Sequence, residues 1–242
     1  MSDLAVVIPC FNESKRLNAS YFLKLTQLID CTLVFIDDGS TDGTGEILRN
    51  TFSNLPIETQ IVTLPKNLGK AMAISKGLEV ALELDKKFLV FCDADNSNSI
   101  EDIEKLYRVI KQNEQCDLVS GARVPLSGSD VVRKDFRKWI GRLVATLVSA
   151  MTHIAIYDPM SPLKIYRLER FHGLEAFKPR TRWLGEVELM FFVYSANRDF
   201  FKIEEETIDF WRDEDGGHIG LRSSWVLTRD FINLWKITRS LS

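Results

Sequence analysis

Residues 4–13 read Leu-Ala-Val-Val-Ile-Pro-Cys-Phe-Asn-Glu. A continuous apolar run stopped by Pro9 and a polar segment suits a strand buried on both faces, as in a parallel sheet. The pattern recurs at residues 32–36, 57–64, 88–91 and 117–120. Between these runs the apolar residues fall at helical spacing. Leu17, Tyr21, Leu25 and Leu28 form one such set, and Thr41 or Asp42 can cap a short helix at residues 45–50. Ala71, Ile74, Leu78 and Leu82 follow Asn67, and Ile103, Leu106, Tyr107 and Ile110 follow a capping Ser99. Strand–helix alternation predicts an α/β fold, a mostly parallel sheet with helices on both faces. Ligands of such sheets bind outside the carboxyl ends of the strands. Loops 9–13, 37–44, 65–70 and 93–99 all leave such ends, so they are expected to share one crevice.

Downstream the pattern is less regular. Residues 131–153 read as one helix with Trp139, Leu143, Leu147 and Ala150 on a face, and residues 186–196 as a buried helix. Residues 219–239 read as a long terminal helix, and residues 163–166 and 200–203 as strands. Without internal repeat, low-complexity stretch or Pro/Gly-rich linker, the 242 residues are expected to form one domain.

Composition narrows the function classes. Apolar residues make up 45% and charged residues 27%, which excludes disordered, collagen-like and polytopic membrane chains. A net charge of −3 provides no basic field for nucleic acid. The N-terminus carries Asp3 rather than a basic leader, and the candidate span at 139–157 is broken by Arg142 and His153. Cys10, Cys31, Cys92 and Cys116 are scattered through apolar runs with no CxxC pair, as in a reduced, cytosolic chain without zinc or disulfides.

Two acidic loops carry the chemistry. Asp93-Ala94-Asp95 directly follows the strand run Phe88-Leu89-Val90-Phe91. Two carboxylates one residue apart at a strand end make a hard oxygen site, suited to Mg²⁺ or Mn²⁺ bridging to phosphates. As an isolated triplet it reads more often as a turn or helix cap; its place at a strand end beside three other polar loops reverses that preference. Asp37-Asp38-Gly39-Ser40 ends another buried run. There Asp37 suits a structural role, and Asp38 a ribose or base, with the glycine allowing close approach of a ligand to the backbone.

The runs VVIPCFNESKRL, VFIDDGSTDGT, NLGKAMAISKGLEVAL and FLVFCDADNSN, in this order within residues 4–123, resemble the family-two inverting glycosyltransferases. That resemblance implies the GT-A (Rossmann-like) fold, with a nucleotide-sugar half at 1–123 and an acceptor half at 124–242. Residues 157–167 resemble the D-x-x-x-G-F-K-L-F-R stretch of the dolichyl- and polyprenyl-phosphate glucosyl- and mannosyltransferases, residues 182–189 their R-W-x-x-D-V-E-L, and Trp211-Arg212 with Gly216-Gly217-His218 their W-R-x-x-x-G-S-K loop. Pro162 stands for a glycine, Glu186 for an aspartate, and His218 near a usual Ser or Lys.

Residue by residue, the resemblance implies that Pro9, Phe11 and Glu13 border the nucleotide, that Asp38 binds base or ribose, and that Lys70 lies nearby. Asp93 and Asp95 would hold sugar and metal, Mg²⁺ or Mn²⁺, and Arg123 would clamp a diphosphate or acceptor phosphate. His218 is expected at the diphosphate or the metal. The donor would be a nucleotide sugar, with a UDP-sugar favoured and GDP-mannose open. The acceptor would be a lipid phosphate, already anionic, or a glycan hydroxyl, which needs a carboxylate base. Glu186 is the first candidate for that base and Asp158 the second. Glu186 and Glu188, two residues apart, cannot share a helix face, so one should look into the site and the other away. The alternatives are a sugar-phosphate nucleotidyltransferase, which would want a Gly-rich basic loop after the first strand, and a non-catalytic nucleotide-sugar-binding module. The segments 131–153 and 219–239 interleave basic and apolar or aromatic residues, a pattern that fits peripheral contact at the cytoplasmic face of a membrane as well as ordinary packing on the domain.

Overall fold

The computed structural model describes residues 2–53, 55, 57–126, 130–132, 135–198, 200–212 and 221–240; side chains are described for all of these except 132, 135–140, 212 and 221–224. Expectations placed on Gly216, Gly217 and His218 lie outside the described residues. So does that on the side chain of Trp139.

The first five strands are β1 (Leu4–Cys10), β2 (Cys31–Asp37), β3 (Thr59–Thr63), β4 (Phe88–Phe91) and β5 (Leu118–Ala122). The helices α1 (Ala19–Leu28), α2 (Thr44–Phe52), α3 (Lys70–Glu83) and α4 (Ile100–Gln112) alternate with them. The second half adds β6 (Asp130–Val132), α5 (Asp135–Thr152), β7 (Lys164–Arg167), α6 (Gly185–Ala196), β8 (Ile203–Thr207), β9 (Phe210–Arg212) and α7 (Leu221–Ser240). Seven strands form one sheet in the order β3-β2-β1-β4-β7-β5-β8, and β6 pairs with β9 apart from it. One apolar cluster, with Val7, Val34, Ile74 and Phe91, covers one face of the sheet; a second, with Phe22, Phe35, Ile103 and Val119, covers the other.

Three features of this sheet position a site. The chain moves outward from β1 through β2 to β3 and then returns to place β4 on the other side of β1. The loops leaving β1 and β4 therefore diverge and open a crevice at the carboxyl edge. β7 runs antiparallel to both β4 and β5, so its first residues, not its last, lie at that edge. Helix α3 packs against β1 so closely that a Cβ on Gly77 would stand 2.2 Å from a Val7 methyl.

Several expectations are corrected. The segment 131–153 begins as a strand: β-branched Val131 and Val132 pair with Trp211 and Arg212, and the helix starts only at Asp135. Leu143, Leu147 and Ala150 of α5 are exposed, while Ala145 and Val148 are buried. Apolar residues occupy both faces of this helix, and packing selects the smaller set. Instead of 200–203, the strand is Ile203–Thr207, because Phe200 and Phe201 turn their N–H groups back onto the Asn197 carbonyl rather than into a ladder. β8 lies at the sheet margin, which is why Ile-Glu-Glu-Glu-Thr can be a strand without an apolar face. Strand β1 continues through Pro9 to Cys10, since β4 pairs only as far as Val7.

Gly77→Ala is predicted to destabilise the protein by about 1–3 kcal/mol, because overpacking against a central buried strand outweighs the ~1 kcal/mol gain in helix propensity. A lower midpoint in urea at unchanged slope is the expected result.

Candidate functional site

The four loops are sewn together by hydrogen bonds. Asn12 N–H donates to Ser40 Oγ (2.9 Å), Thr41 N–H to Asn12 Oδ1 (2.9 Å) and Glu13 N–H to Thr44 Oγ1 (2.8 Å). The loop after β1 is thereby fixed to the loop after β2. Asp38 fixes the next pair: its two carboxylate oxygens accept from Leu68 N–H (2.7 Å) and Gly69 N–H (2.8 Å). Burial lifts the Asp38 carboxyl above its usual range even though both amides pull it down. Asp38 is thus sequestered as the bracket between the ends of β2 and α3, and Asp37 accepts from Ser40 N–H (3.0 Å). Pro9, Phe11 and Glu13 are half-buried on the same rim.

Charges of alternating sign line the crevice. Lys70, first residue of α3, donates to Asp93 Oδ1 at 2.7 Å and lies 3.2 Å from Glu186 Oε1. Burial opposes its charge, but the Asp93 and Glu186 carboxylates raise the Lys70 pKa above the ordinary value. Arg16 pairs with Glu13 at 2.6 Å and stands 3.9 Å from Asp95 Oδ2. Burial raises the carboxyl of Asp95, and the charge of Asp93 raises it further. Burial likewise raises Glu13, against the pull of Arg16.

Glu186 enters from the second half of the chain because α6 begins against α3: a Cβ on Gly185 would lie 2.5 Å from Ala71 Cα. Glu188 leaves α6 in another direction and accepts from Arg180 N–H, Thr181 N–H and the Thr181 hydroxyl at 2.8–2.9 Å. It holds the loop before the helix. The next turn of that loop is held from α7, where Asp230 Oδ2 accepts from Arg182 N–H (2.9 Å) and Trp183 N–H (2.6 Å). Arg182 in turn donates to the Leu68 carbonyl (3.1 Å) and to Asn67 Oδ1.

Arg123 and Asp158 form a separate unit. The Arg123 Nε and Nη2 donate to the two Asp158 oxygens at 2.7 and 2.9 Å, and the guanidinium stacks on Trp211 with its carbon 4.7 Å from the ring centroid. A cavity of about 180 Å³ opens beside the pair, lined also by Pro125, Arg142 and Tyr157.

Sequence reasoning left Arg16, Lys164, Arg182 and Asp230 without roles. Arg16, Lys164 and Arg182 fall inside quoted motifs, so their signal was present; Asp230, on a helix of ambiguous pattern, gave none. The four cysteines are buried and free. Burial pushes the thiols of Cys31 and Cys92 up to about 12 and that of Cys116 up to about 11, which keeps them protonated and inert.

Among the described residues no group of three His, Cys, Asp or Glu could hold a metal ion. The donor set fits one all the same: Asp93 and Asp95 are partly open, and the neighbouring Ser97 Oγ and Asn96 Oδ1 make no hydrogen bond. Mg²⁺ and Mn²⁺ are typically bound by one or two carboxylates, with substrate phosphate and water supplying the remaining oxygens.

A mostly parallel sheet with this switch point and an acidic pair after β4 defines the GT-A class of α/β fold. The chain belongs to glycosyl transferase family 2, whose family model matches residues 5–172. It is 28% identical over 238 residues to a dolichyl-phosphate beta-glucosyltransferase of Saccharomyces cerevisiae, covering 90% of this chain and 69% of that one. It is 26% identical over 214 residues to a dolichyl-phosphate beta-glucosyltransferase of Trichomonas vaginalis, covering 83% of this chain but only 62% of the relative's length. Among solved structures it resembles glucosyl-3-phosphoglycerate synthase from Mycobacterium tuberculosis in complex with Mn²⁺, uridine diphosphate and glucosyl-3-phosphoglycerate. The TM-score is 0.68 at 18% identity, covering 98% of this chain and 80% of that one.

Asp38→Asn is predicted to destabilise the protein by about 1–3 kcal/mol, because an amide cannot accept from both buried N–H groups and turns a donor toward one of them. Urea denaturation of the ligand-free protein measures this without reference to activity.

Proposed function

We propose that the protein is a metal-dependent inverting hexosyltransferase that moves a sugar, from UDP-glucose or a similar UDP-sugar, onto a polyprenyl phosphate. The observation that carries the reading is the row of paired charges at the switch-point crevice, Arg16 with Asp95 and Lys70 with Asp93. Cations standing against an acidic pair suit a ligand that brings both a diphosphate and a divalent ion. The names of the yeast and Trichomonas relatives support the lipid-phosphate acceptor, and the uridine diphosphate and Mn²⁺ of the mycobacterial structure support the donor and the metal.

In this reading residues 1–123 form the donor half and residues 124–242 the acceptor half of one domain. Asp93 and Asp95 would hold Mg²⁺ or Mn²⁺; when bound, the ion neutralises negative charge on the departing diphosphate. An oxygen of the acceptor phosphate attacks C1 from the face opposite the nucleotide. The new C1–O bond forms as the C1–O bond to the β-phosphate breaks, and the configuration inverts. A phosphate acceptor is already anionic, so Glu186 serves as the counter-ion that holds Lys70 at Asp93; with a hydroxyl acceptor the same carboxylate would take the proton. Arg123, fixed by Asp158 and Trp211, lines the 180 Å³ cavity, where the acceptor phosphate would enter. Asp158 therefore orients Arg123 and does not act as the base.

Among the described residues no helix is long and apolar enough to cross a membrane. The outer face of α7 interleaves Trp225, 75% exposed, Ile232 and Trp235 with Arg229, Lys236 and Arg239, and Leu143 and Leu147 project from α5. Such faces favour peripheral contact with an anionic membrane, here its cytoplasmic side.

A thermal-shift screen of UDP-, GDP- and CDP-sugars with Mn²⁺ tests the donor: a UDP-sugar is expected to raise the melting temperature most, by mass action. Transfer should cease with a chelator, and Asp95→Asn should lose at least about a hundredfold in kcat/KM, or ~2.7 kcal/mol, while the fold survives. Retained turnover in either experiment sinks the metal role. Cosedimentation should be stronger with anionic than with neutral vesicles and weaker for Trp225→Ala; equal binding to both vesicle types contradicts the membrane reading.

A further inference from the structure

Lys164 opens β7 within the run Leu163-Lys164-Ile165-Tyr166, and its side chain is fully buried. A buried ammonium is costly unless it is paired and hydrogen-bonded. Because β7 runs antiparallel, this first residue is delivered to the carboxyl edge of the sheet, directly behind α6. Its Nζ donates to the Ser161 carbonyl and stands 3.8 Å from Glu186 Oε2. That oxygen is buried and makes no hydrogen bond, whereas Glu186 Oε1 lies 3.2 Å from Lys70. Tyr166, two residues along the same face of the strand, donates its hydroxyl to the Glu186 carbonyl at 3.4 Å. β7 therefore addresses Glu186 through both its backbone and its side chain.

We propose that Lys164 is a positioning residue of the transfer site: its ammonium fixes the second oxygen of Glu186, so that the first keeps Lys70 turned toward Asp93. A carboxylate with one cationic neighbour is free to rotate about its last bond. One with a cation at each oxygen has its plane set. Burial disfavours the Lys164 charge and the Glu186 carboxylate favours it; Lys164 ends a row Asp93, Lys70, Glu186, Lys164, and without it Glu186 is left to draw Lys70 away from Asp93. The inference rests on the reading of Glu186 and Lys70 as parts of the sugar-transfer site.

The test is a double-mutant cycle on nucleotide-sugar turnover with Lys164→Met, Glu186→Gln and the pair together. Lys164→Met is expected to lose about tenfold or more in kcat with KM for the nucleotide sugar within about twofold. Adding it to Glu186→Gln should cost less than about twofold more, since the group it acts through is already gone. Multiplying losses, or a Lys164→Met enzyme with wild-type kcat, overturns the proposal. The double variant removes both buried charges at once, so comparing it with Glu186→Gln decides the matter even where Lys164→Met alone does not fold. A crystal structure of either Lys164→Met or Lys164→Gln gives a second readout that needs no activity. The Glu186 carboxylate should be rotated, with its contact to Lys70 or that of Lys70 to Asp93 lost; an unmoved Glu186 overturns the proposal. Should the wild-type protein turn over no nucleotide sugar, the functional reading falls, and this crystallographic comparison still decides what Lys164 does.

Discussion

The Lys70 ammonium is held between two carboxylates that come from opposite halves of the chain, Asp93 after β4 and Glu186 at the start of α6. Much of the architecture can be read as what brings those three groups together. Gly185 lets α6 touch α3 at Ala71, which puts Glu186 within reach of the first residue of α3. Asp38 binds the two amides just before that residue and so sets where α3 begins. Lys70 sits at a helix N-terminus, where the macrodipole disfavours a cation by some tenths of a kcal/mol. Two carboxylates in a half-buried crevice outweigh that penalty, which is why the residue tolerates so poor a place.

The convergence of the loops was legible because it follows from alternation alone: apolar runs separated by helical spacings force right-handed crossovers, and the polar loops then gather at one edge. The place of Asp93 and Asp95 at that edge was legible for the same reason. The opposed directions of Glu186 and Glu188 followed from their spacing of two on a helix. Asp38 was not legible as a bracket, since nothing in Asp-Asp-Gly-Ser says that the second carboxylate turns back onto amides thirty residues away. Lys164 broke the apolar pattern of its run, and such a local violation is itself a signal. What made it interpretable was the antiparallel direction of β7, which no residue in that strand specifies.

The misread segments share a cause. The face of α5 could not be chosen from periodicity because apolar residues line both sides of it. β8 could not be recognised from hydrophobicity because a marginal strand needs only one neighbour, and three glutamates serve there without harm. Pattern reading succeeds where burial is one-sided or complete and fails where the surroundings decide.

The family match stops at residue 172, yet the wall of the crevice does not. Asp230, far along α7, holds the backbone of Arg182 and Trp183, and Arg182 reaches back to the loop that Asp38 brackets. The last helix braces the loop through which the second half reaches the first. A boundary drawn at residue 172 would discard that brace, so an excised N-terminal fragment would carry both aspartates of the acidic pair and lack Glu186, the Arg182 contact and the helix that holds it.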